Sequence, residues 1–323
     1  MALVALLSNP RSTGNQSLLP QVRHFCARHE EIFHYEVEHV DQISAALRSI
    51  ARVKPRVLVI NGGDGTVQAA LTELYHGGHF VTPPPVAVLA NGKTNLIAHD
   101  LGADGDPIVA LERVLELARA DLSPHIVSRE LISLSDGDPA RRPVLGMFLG
   151  GAGLADTMLY CRHKIYPLGL PNAVAHTLAL LLGLAAILIG RPARFLPTPP
   201  QPITVSGMSG GELQGSFAFL MVTTLQRLLF SSNMPGTGHA AGSMQLLVIE
   251  RNIPALMRAL VASIRGRLGR IRLDGVHIER GGEIRIEGSG SSVLLDGELF
   301  EAGVGRPIVL RPTAPVPFLR LAA

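Results

Sequence analysis

The chain has 323 residues, of which 47% are hydrophobic and 17% are charged, and this composition excludes an intrinsically disordered protein. The length predicts one large domain or two domains of medium size. A formal net charge of only +3 excludes a protein built to bind nucleic acid, because such proteins concentrate positive charge. The small charged fraction favours an apolar partner instead.

The two cysteines, Cys26 and Cys161, show no spacing typical of a disulfide framework or of a zinc site. This cysteine usage favours a reducing compartment. Residues 1–8 form a short apolar run with no preceding basic residue and no cleavage signal, so they are predicted to be a strand rather than a signal peptide. We therefore expect a cytoplasmic protein.

Residues 1–122 alternate between patterns typical of strands and patterns typical of helices. Strands are predicted where apolar residues are continuous or alternate with polar ones, at 2–8, 32–40, 56–60 and 86–90. Helices are predicted where apolar residues recur every three or four positions, at 17–30, 42–53, 67–75, 95–101 and 108–120. The alternation predicts an α/β domain with a Rossmann-like parallel sheet that helices cover on both faces.

The pattern changes at about residue 121 to short strands separated by glycine, proline and serine. These strands are predicted at 126–134, 144–149, 203–206, 212–223, 244–250, 276–280, 283–287, 293–295 and 307–310. Two helices interrupt them, at 172–190 and 253–268. The pattern predicts a second, β-rich domain (a β-sandwich) at 123–304. Residues 305–323 could return to the first domain, at 1–122, and supply its last strand.

The segment at 173–190 has no formal charge and approaches the roughly 20 residues that a bilayer-spanning helix needs. A single span would place the strands that follow it on the other side of the membrane from the first domain. The segment also contains His176 and Thr177. We therefore favour a buried or membrane-facing helix over a transmembrane span.

Three predicted strands of the first domain end in polar, glycine-bearing loops, at 9–15, 61–66 and 91–95. Parallel strands bring such loops to one edge of a sheet, where open α/β sheets bind ligands. Glycines let backbone N–H groups approach a phosphate, and the helix that follows adds positive potential. Any one loop is also typical of a tight turn, but the three together predict a nucleotide site. Because Asp64 would repel a polyphosphate, we infer that a magnesium ion bridges them.

Several motifs resemble those of one kinase superfamily. Residues 61–66 (NGGDGT) are similar to the GGDGT signature shared by diacylglycerol kinases, sphingosine kinases, bacterial lipid kinases, NAD kinases and phosphofructokinases. The lipid-kinase branch is the better match, because Asn9-Pro10-x-Ser12 resembles its NPxSG motif. The segments at 92–95 and 295–298 resemble its GTxN and LDGE motifs, and residues 151–156 (GAGLAD) resemble its GxGFDA segment. The resemblance thus extends nearly end to end.

The resemblance implies an ATP-dependent lipid kinase with a nucleotide domain, a β-sandwich domain and a lipid hydroxyl entering the cleft between them. The predicted nucleotide-binding residues lie in the three glycine-bearing loops. They are Asn9, Ser12, Gly62, Gly63, Asp64, Gly65, Thr66, Gly92, Lys93, Thr94 and Asn95. The predicted catalytic residues are Asp296, Glu298 and Asp64, with Asp64 and Glu298 as magnesium ligands. In this scheme Asp296 accepts the proton of the lipid hydroxyl.

Asp296 and Glu298 lie two residues apart, so both carboxylates would face the same side of an extended segment. Glu298 would then hold magnesium or orient Asp296. The alternative is a hairpin turn at Asp296-Gly297, because Asp-Gly pairs are typical of such turns. The family context favours the catalytic arrangement.

The chain departs from the family pattern at three places. Lys93 replaces the threonine of GTxND and Leu96 replaces its aspartate. Two interpretations of Lys93 stay open: it contacts the ATP phosphates, or it is solvated or paired with Asp64 or Asp121. Residues 238–244 replace an acidic turn that holds a structural magnesium in bacterial members, so we do not expect that ion here.

The sequence thus predicts an ATP- and magnesium-dependent lipid kinase that associates peripherally with the membrane surface and phosphorylates diacylglycerol or a related lipid. An NAD kinase-like enzyme is one alternative. A catalytically weak, nucleotide-binding regulator derived from a lipid kinase is another. The sequence leaves the lipid and the oligomeric state open, with a homo-oligomer among the options, because specificity would depend on the segments at 161–202 and 217–238.

Overall fold

The computed structural model describes residues 2–138, 140–169, 172–189, 196–197, 200–208, 211–225, 244–288, 292–301 and 305–321. The chain divides into two compact units. The first unit consists of Met1–Leu131, Val144–Gly146 and Thr313–Ala323. The second consists of Ile132–Pro143 and Met147–Pro312.

The secondary structure alternates in the first unit and is strand-rich in the second. The strands are β1 (Val4–Ser8), β2 (Ile32–Glu36), β3 (Val57–Gly62), β4 (Val86–Ala90), β5 (Ile126–Arg129), β6 (Ile132–Ser135), β7 (Val144–Gly146), β8 (Phe148–Gly151), β9 (Ile203–Met208), β10 (Gly211–Gly215), β11 (Phe217–Thr223), β12 (Met244–Glu250), β13 (Val276–Gly281), β14 (Ile284–Glu287), β15 (Ser292–Leu295), β16 (Glu298–Glu301), β17 (Ile308–Pro312) and β18 (Val316–Leu319). The helices are α1 (Asn15–Ala27), α2 (Ile43–Val53), α3 (Asp64–His76), α4 (Leu96–Asp100), α5 (Pro107–Arg119), α6 (Gly153–Tyr160), α7 (Asn172–Ile189) and α8 (Ile253–Ile264).

The sheet of the first unit has the strand order β2-β1-β3-β4-β18-β5. Strands β1 to β4 pair in parallel, and β18 is parallel to β4 but antiparallel to β5. This arrangement confirms the predicted α/β organisation with a parallel sheet. Strand β18 comes from the C-terminal part of the chain and lies inside the sheet rather than at its edge.

The central strands β1, β3 and β4 are mostly apolar and buried because helices cover both faces of the sheet. All five residues of β1 are buried. Val4 and Leu6 pack in a cluster with residues of α1 and α5, while α2 and α3 contact the strands β2 and β3. Burying one Val or Leu side chain stabilises the fold by about 1.5–3 kcal/mol, so this two-sided core fixes the strands and the loops that follow them.

A buried ion pair also lies in the first unit. Arg129 Nε of β5 is 3.6 Å from Asp100 Oδ2 at the end of α4, and the two side chains are 10% and 0% exposed. Charges removed from water are costly unless each has a partner. The pair therefore links the third loop's helix to the far strand of the sheet.

The second unit contains two antiparallel arrangements of strands. One has the order β10-β9-β14-β17-β6, and the other has the order β13-β12-β11-β8-β15-β16. Neighbouring strands along the second order are joined by antiparallel pairing throughout. The β-rich character predicted for this part of the chain is confirmed, while its description as a β-sandwich stays a prediction.

Several predicted elements differ from those observed. The expected strands at 126–134, 144–149 and 212–223 are each divided into two shorter strands. In the first case the two pieces, β5 and β6, belong to different units. Helix α8 ends at Ile264, before the predicted residue 268, because Gly266 adopts φ +62° and begins a C-terminal cap. The N–H of Gly266 bonds to the carbonyl of Ser263 and that of Arg267 to the carbonyl of Ala262, as in a Schellman motif.

Helix α7 covers most of the apolar segment at 173–190. Ala175 and Ala179 pack with Cys161 and Ile165, which lie in the helical turn that follows α6. Among the described residues, no helix combines the length and the apolarity that crossing a membrane requires.

Candidate functional site

The three glycine-bearing loops of the first unit follow β1, β3 and β4. The parallel register places Ser8 beside Asn61, and Asn61 beside Leu89. The strands therefore end at the same edge of the sheet. Each loop leads directly into a helix, α1, α3 or α4. The structure thus brings the predicted nucleotide loops together.

Hydrogen bonds join the first loop to the other two. Asn9 Nδ2 donates to Thr66 Oγ1 at 2.9 Å, and the N–H of Gly63 donates to Ser12 Oγ at 3.1 Å. The N–H of Gly14 donates to the carbonyl of Asn91 at 3.0 Å. Asn9 and Ser12 therefore hold the GGDGT loop in place, a role that the sequence motif alone does not reveal.

The second and third loops approach each other so closely that glycine is required. A Cβ atom added to Gly92 would lie 2.5 Å from Gly63 Cα, which is backbone and cannot rotate away. Asn95, in the left-handed region at φ 55°, fixes the third loop. Its Oδ1 accepts from the N–H of Gly92 at 2.6 Å, and its Nδ2 donates to the Gly92 carbonyl at 3.0 Å.

A layer of buried polar side chains supports the loops. Asn91 Nδ2 donates to Asn61 Oδ1 at 2.5 Å, and Asn61 Nδ2 donates to Ser8 Oγ at 3.0 Å. Asn15 Nδ2 donates to the backbone carbonyls of Asn9 and Asn61. Within the described residues, the Oδ1 atoms of Asn15 and Asn91 are buried and accept no hydrogen bond. The sequence did not single out these asparagines as site residues, although each lies in one of the three predicted loops at 9–15, 61–66 and 91–95.

Asp64 begins α3, and its carboxylate lies near the start of α4. The backbone N–H groups of Asn95, Leu96 and Ile97 stabilise its ionised form. Burial raises the pKa of Asp64, and these donors oppose the shift without cancelling it. Asp64 therefore connects the GGDGT loop to the loop in which Leu96 replaces the expected aspartate.

The remaining predicted residues of these loops differ in exposure. Lys93 is exposed and Thr94 is partly buried, while Gly62 is buried at the end of β3. The N–H groups of Asp64 and Gly65 lie in the first turn of α3, where a helix provides no acceptor of its own. This helix N-terminus supplies the partial positive charge that suits an anion.

Asp296 and Gly297 form the two-residue turn between β15 and β16. Their φ angles are 47° and 91°, and Leu295 pairs with Glu298 across the hairpin. The segment is therefore not extended but is the hairpin turn that the sequence left open as the alternative. Because the chain reverses at the turn, Asp296 is 5% exposed whereas Glu298 is exposed.

The carboxylate of Asp296 is held by the backbone at the start of β8. Its Oδ2 accepts from the N–H of Met147 at 3.0 Å, and its Oδ1 accepts from the N–H of Phe148 at 2.9 Å. The Asp296 N–H in turn donates to the Phe148 carbonyl at 2.8 Å. Two donors thus fix the direction of this buried carboxylate within the second unit.

Asp156 is a further carboxyl in the second unit that the site prediction did not include. It lies in the first turn of α6, and burial raises its pKa to about 6. A carboxyl that titrates near neutral pH is a candidate functional group. The resemblance of residues 151–156 (GAGLAD) to a family segment was the signal that could have pointed to Asp156, but no role was predicted for this aspartate.

The described residues contain no group of three or more His, Cys, Asp or Glu side chains able to hold a metal ion. Magnesium nevertheless often takes only one or two carboxylates, with waters and substrate phosphates as its other ligands. Asp64 offers one such carboxylate beside the helix N-terminus. The donor set therefore fits a magnesium ion that arrives with a nucleotide better than one caged by protein. Residues 238–244, which replace the acidic turn of bacterial members, lie outside the described residues apart from Met244. The larger part of 217–238, one of the two segments expected to set lipid specificity, also lies outside them.

Comparison with known proteins agrees with the resemblance. Residues 3–123 match the family model described as the diacylglycerol kinase catalytic domain, which confirms the resemblance over that stretch. A solved structure described as a "putative diacylglycerol kinase" from Bacillus anthracis str. Sterne is similar with 15% sequence identity and a TM-score of 0.64, over 96% of this chain and 94% of that chain. A second structure, with the same description and organism, has 16% identity and a TM-score of 0.63 over the same shares. No curated protein matches the sequence.

The structural similarities show a shared fold. The family match covers the first unit's three loops, so that part of the chain is similar to the diacylglycerol kinase catalytic domain.

Proposed function

We propose that this chain is an ATP- and magnesium-dependent kinase that transfers the γ-phosphoryl group to a hydroxyl of diacylglycerol or a related lipid. The observation that carries the proposal is the interlocking of three glycine-bearing loops at one sheet edge, beside the N-terminus of α3. The match of residues 3–123 to the diacylglycerol kinase catalytic domain supports it.

In this proposal the loops of the first unit bind ATP. The N–H groups of Asp64 and Gly65 face the phosphates from the first turn of α3, and the positive end of the helix stabilises their charge. The other nucleotide contacts are the residues that the motifs predict, namely Asn9, Ser12, Gly62, Gly63, Thr66, Gly92, Lys93, Thr94 and Asn95.

Asp64 and Glu298 are the proposed ligands of magnesium. When bound, the ion would offset the negative charge of the transferred phosphoryl group. Because burial raises the pKa of Asp64, a proton competes with the magnesium ion for its carboxylate. The affinity for magnesium is therefore expected to rise with pH.

Asp296 is the proposed general base. The lipid hydroxyl oxygen attacks the γ-phosphorus, the bond from that phosphorus to the β–γ bridging oxygen breaks, and the hydroxyl proton passes to Asp296. The N–H donors of Met147 and Phe148 orient the carboxylate for this transfer. An unassisted alcohol is a poor nucleophile, so a positioned base is the contribution that the reaction requires.

One observation favours a second candidate, a nucleotide-binding regulator with little catalysis. The Asp64 carboxylate is engaged by three backbone N–H groups, and Leu96 supplies no carboxylate in its place. Such a protein would bind ATP without turnover.

The deciding experiment incubates the purified chain with γ-labelled ATP and magnesium, together with either a total lipid extract or NAD, and identifies the product by mass. We expect label in a phospholipid. Label in NADP alone, or nucleotide binding with no labelled product, would exclude a lipid kinase. Asp296→Asn should lower kcat about a hundredfold or more while leaving the Kd for ATP unchanged. The exposed Asp41→Asn serves as the matched control.

A further inference from the structure

Helix α8 packs on its sheet with small residues. Ala255, Ala259 and Ala262 are buried against a cluster that includes Leu247 of β12 and Val276 of β13. These alanines recur every three or four positions, so they occupy one face of the helix. Leu256, which is partly buried, packs against the same cluster.

The opposite face of α8 carries its bulky apolar residues. At about 100° per residue they lie roughly half a turn away from the alanines. We call this surface the outer face of α8; its residues and their exposed fractions are Ile253 (46%), Met257 (47%), Leu260 (49%), Val261 (38%) and Ile264 (77%). A surface helix ordinarily turns polar residues outward. Here the alanines face inward and the large hydrophobes face solvent, a pattern typical of an interaction surface.

Positive charge lies beside the outer face and beyond its C-terminal end. Arg258, on the flank of α8, donates from Nη1 to the carbonyl of Asp274. Exposed arginines occupy the C-terminal cap and the segment after it, at Arg265, Arg267, Arg270 and Arg272. The exposed Ile271 lies among them. Residues 251–273 contain no Asp or Glu. The nearest acidic residues in the sequence are Glu250, which contacts His277 and Asn252, and Asp274.

We propose that the outer face of α8 and the arginines of 258–272 form a membrane-docking surface that binds an anionic lipid bilayer. An apolar helix face with arginines on its flank and at its C-terminal end suits burial at the boundary between headgroups and acyl chains, with the guanidinium groups on lipid phosphates. A second copy of this chain is a poor occupant, because pairing two such faces would bring like charges together. This proposal does not rest on the nucleotide site and would hold for a chain with no kinase activity.

The test measures binding of the full chain to vesicles without ATP. Vesicles of phosphatidylcholine mixed with phosphatidylglycerol are compared with vesicles of phosphatidylcholine alone, by sedimentation at low and high salt. We expect binding to the anionic vesicles that weakens as salt is added. Equal binding to both vesicle types, or no binding by the wild-type chain, would overturn the proposal.

Two variants separate the apolar and the charged contributions. Met257→Gln/Leu260→Gln/Ile264→Gln should weaken vesicle binding about tenfold or more, and Val40→Gln/Val81→Gln/Val109→Gln is the control, because these are exposed hydrophobes of the first unit. Arg265→Ser/Arg267→Ser/Arg270→Ser should weaken binding roughly fivefold for each arginine, with Arg28→Ser/Arg48→Ser/Arg52→Ser as its control. Unchanged vesicle binding by either α8 variant, with an unchanged Tm, would refute the assignment. A change in oligomeric state instead of lipid binding would assign the surface to a second copy.

Failure of this proposal is distinguishable from failure of the proposed function. Phosphorylation of a short-chain diacylglycerol in detergent micelles needs no docking to a bilayer, so both α8 variants should retain it. Vesicle binding without phosphorylation would reject only the kinase, and phosphorylation without vesicle binding would reject only the docking surface.

Discussion

Gly92→Ala tests whether the close approach of two loops builds the nucleotide site. The new methyl carbon would lie 2.5 Å from Gly63 Cα, about 0.9 Å short of the 3.4 Å at which ordinary contacts begin. Gly92 has no positive φ, so the substitution causes steric crowding without backbone strain. Crowding of this kind costs about 1–3 kcal/mol, which corresponds to a roughly 5- to 150-fold rise in the Kd for ATP if the loops separate to relieve it.

The assay is calorimetric titration of ATP and magnesium into the variant, with a thermal unfolding curve beside it. Gly282→Ala is the matched control, because its added methyl meets no atom within 4 Å. The control should leave both the Kd and the Tm unchanged. If Gly92→Ala also left both unchanged, the two loops would not constrain each other and the reasoning would be refuted.

Three further variants test other features. Thr66→Val removes the acceptor of Asn9 Nδ2 and should lower the free energy of unfolding in urea by about 1 kcal/mol; an additive Asn9→Ala/Thr66→Val double variant would contradict this bond. Burial raises the pKa of Asp156 from 3.8 to about 6, so its ionised form destabilises the folded chain above pH 6 and this cost is absent below 3.8. Asp156→Asn should therefore raise the free energy of unfolding at pH 8 by about 1–2 kcal/mol after solvent screening, and leave it unchanged at pH 3.5; an equal gain at both pH values would argue against ionisation. Arg129→Met removes the cation that faces the buried carboxylate of Asp100 and should cost about 3 kcal/mol by urea unfolding, and adding Asp100→Leu should restore most of it; a double variant as unstable as the single one would contradict the pair.

The parallel sheet was predictable because its strands are buried on both faces. Such strands are continuously apolar, as in Val57–Gly62, and helices with a period near 3.6 separate them. The loops between them were predictable for the same reason, since the end of an apolar run marks the end of a strand. What the sequence could not show was which loop atoms meet, because the contact of Gly92 with Gly63 joins residues that are distant along the chain.

The second unit was less predictable because its pairing is mostly non-local. Strand β8 pairs with β11 and β15, which lie far along the chain. Helix α6 was missed because the Gly-rich GAGLAD segment is typical of a turn, and Ala152 before it adopts a positive φ of 53°. At Asp296-Gly297 the general preference of Asp-Gly for a hairpin turn outweighed the extended arrangement that the family context favoured.

The position of β18 has a consequence for how the first unit matures during synthesis. Strands β4 and β5 have no contact with each other in the sheet order, because β18 lies between them. While the ribosome is still translating the second unit, β4 has an open edge and β5 has no strand to pair with, because β18 has not yet been made. Open edges invite pairing with other nascent chains. The unit that is translated first is thus completed last, so premature termination anywhere upstream of Val316 should yield aggregates rather than a working half.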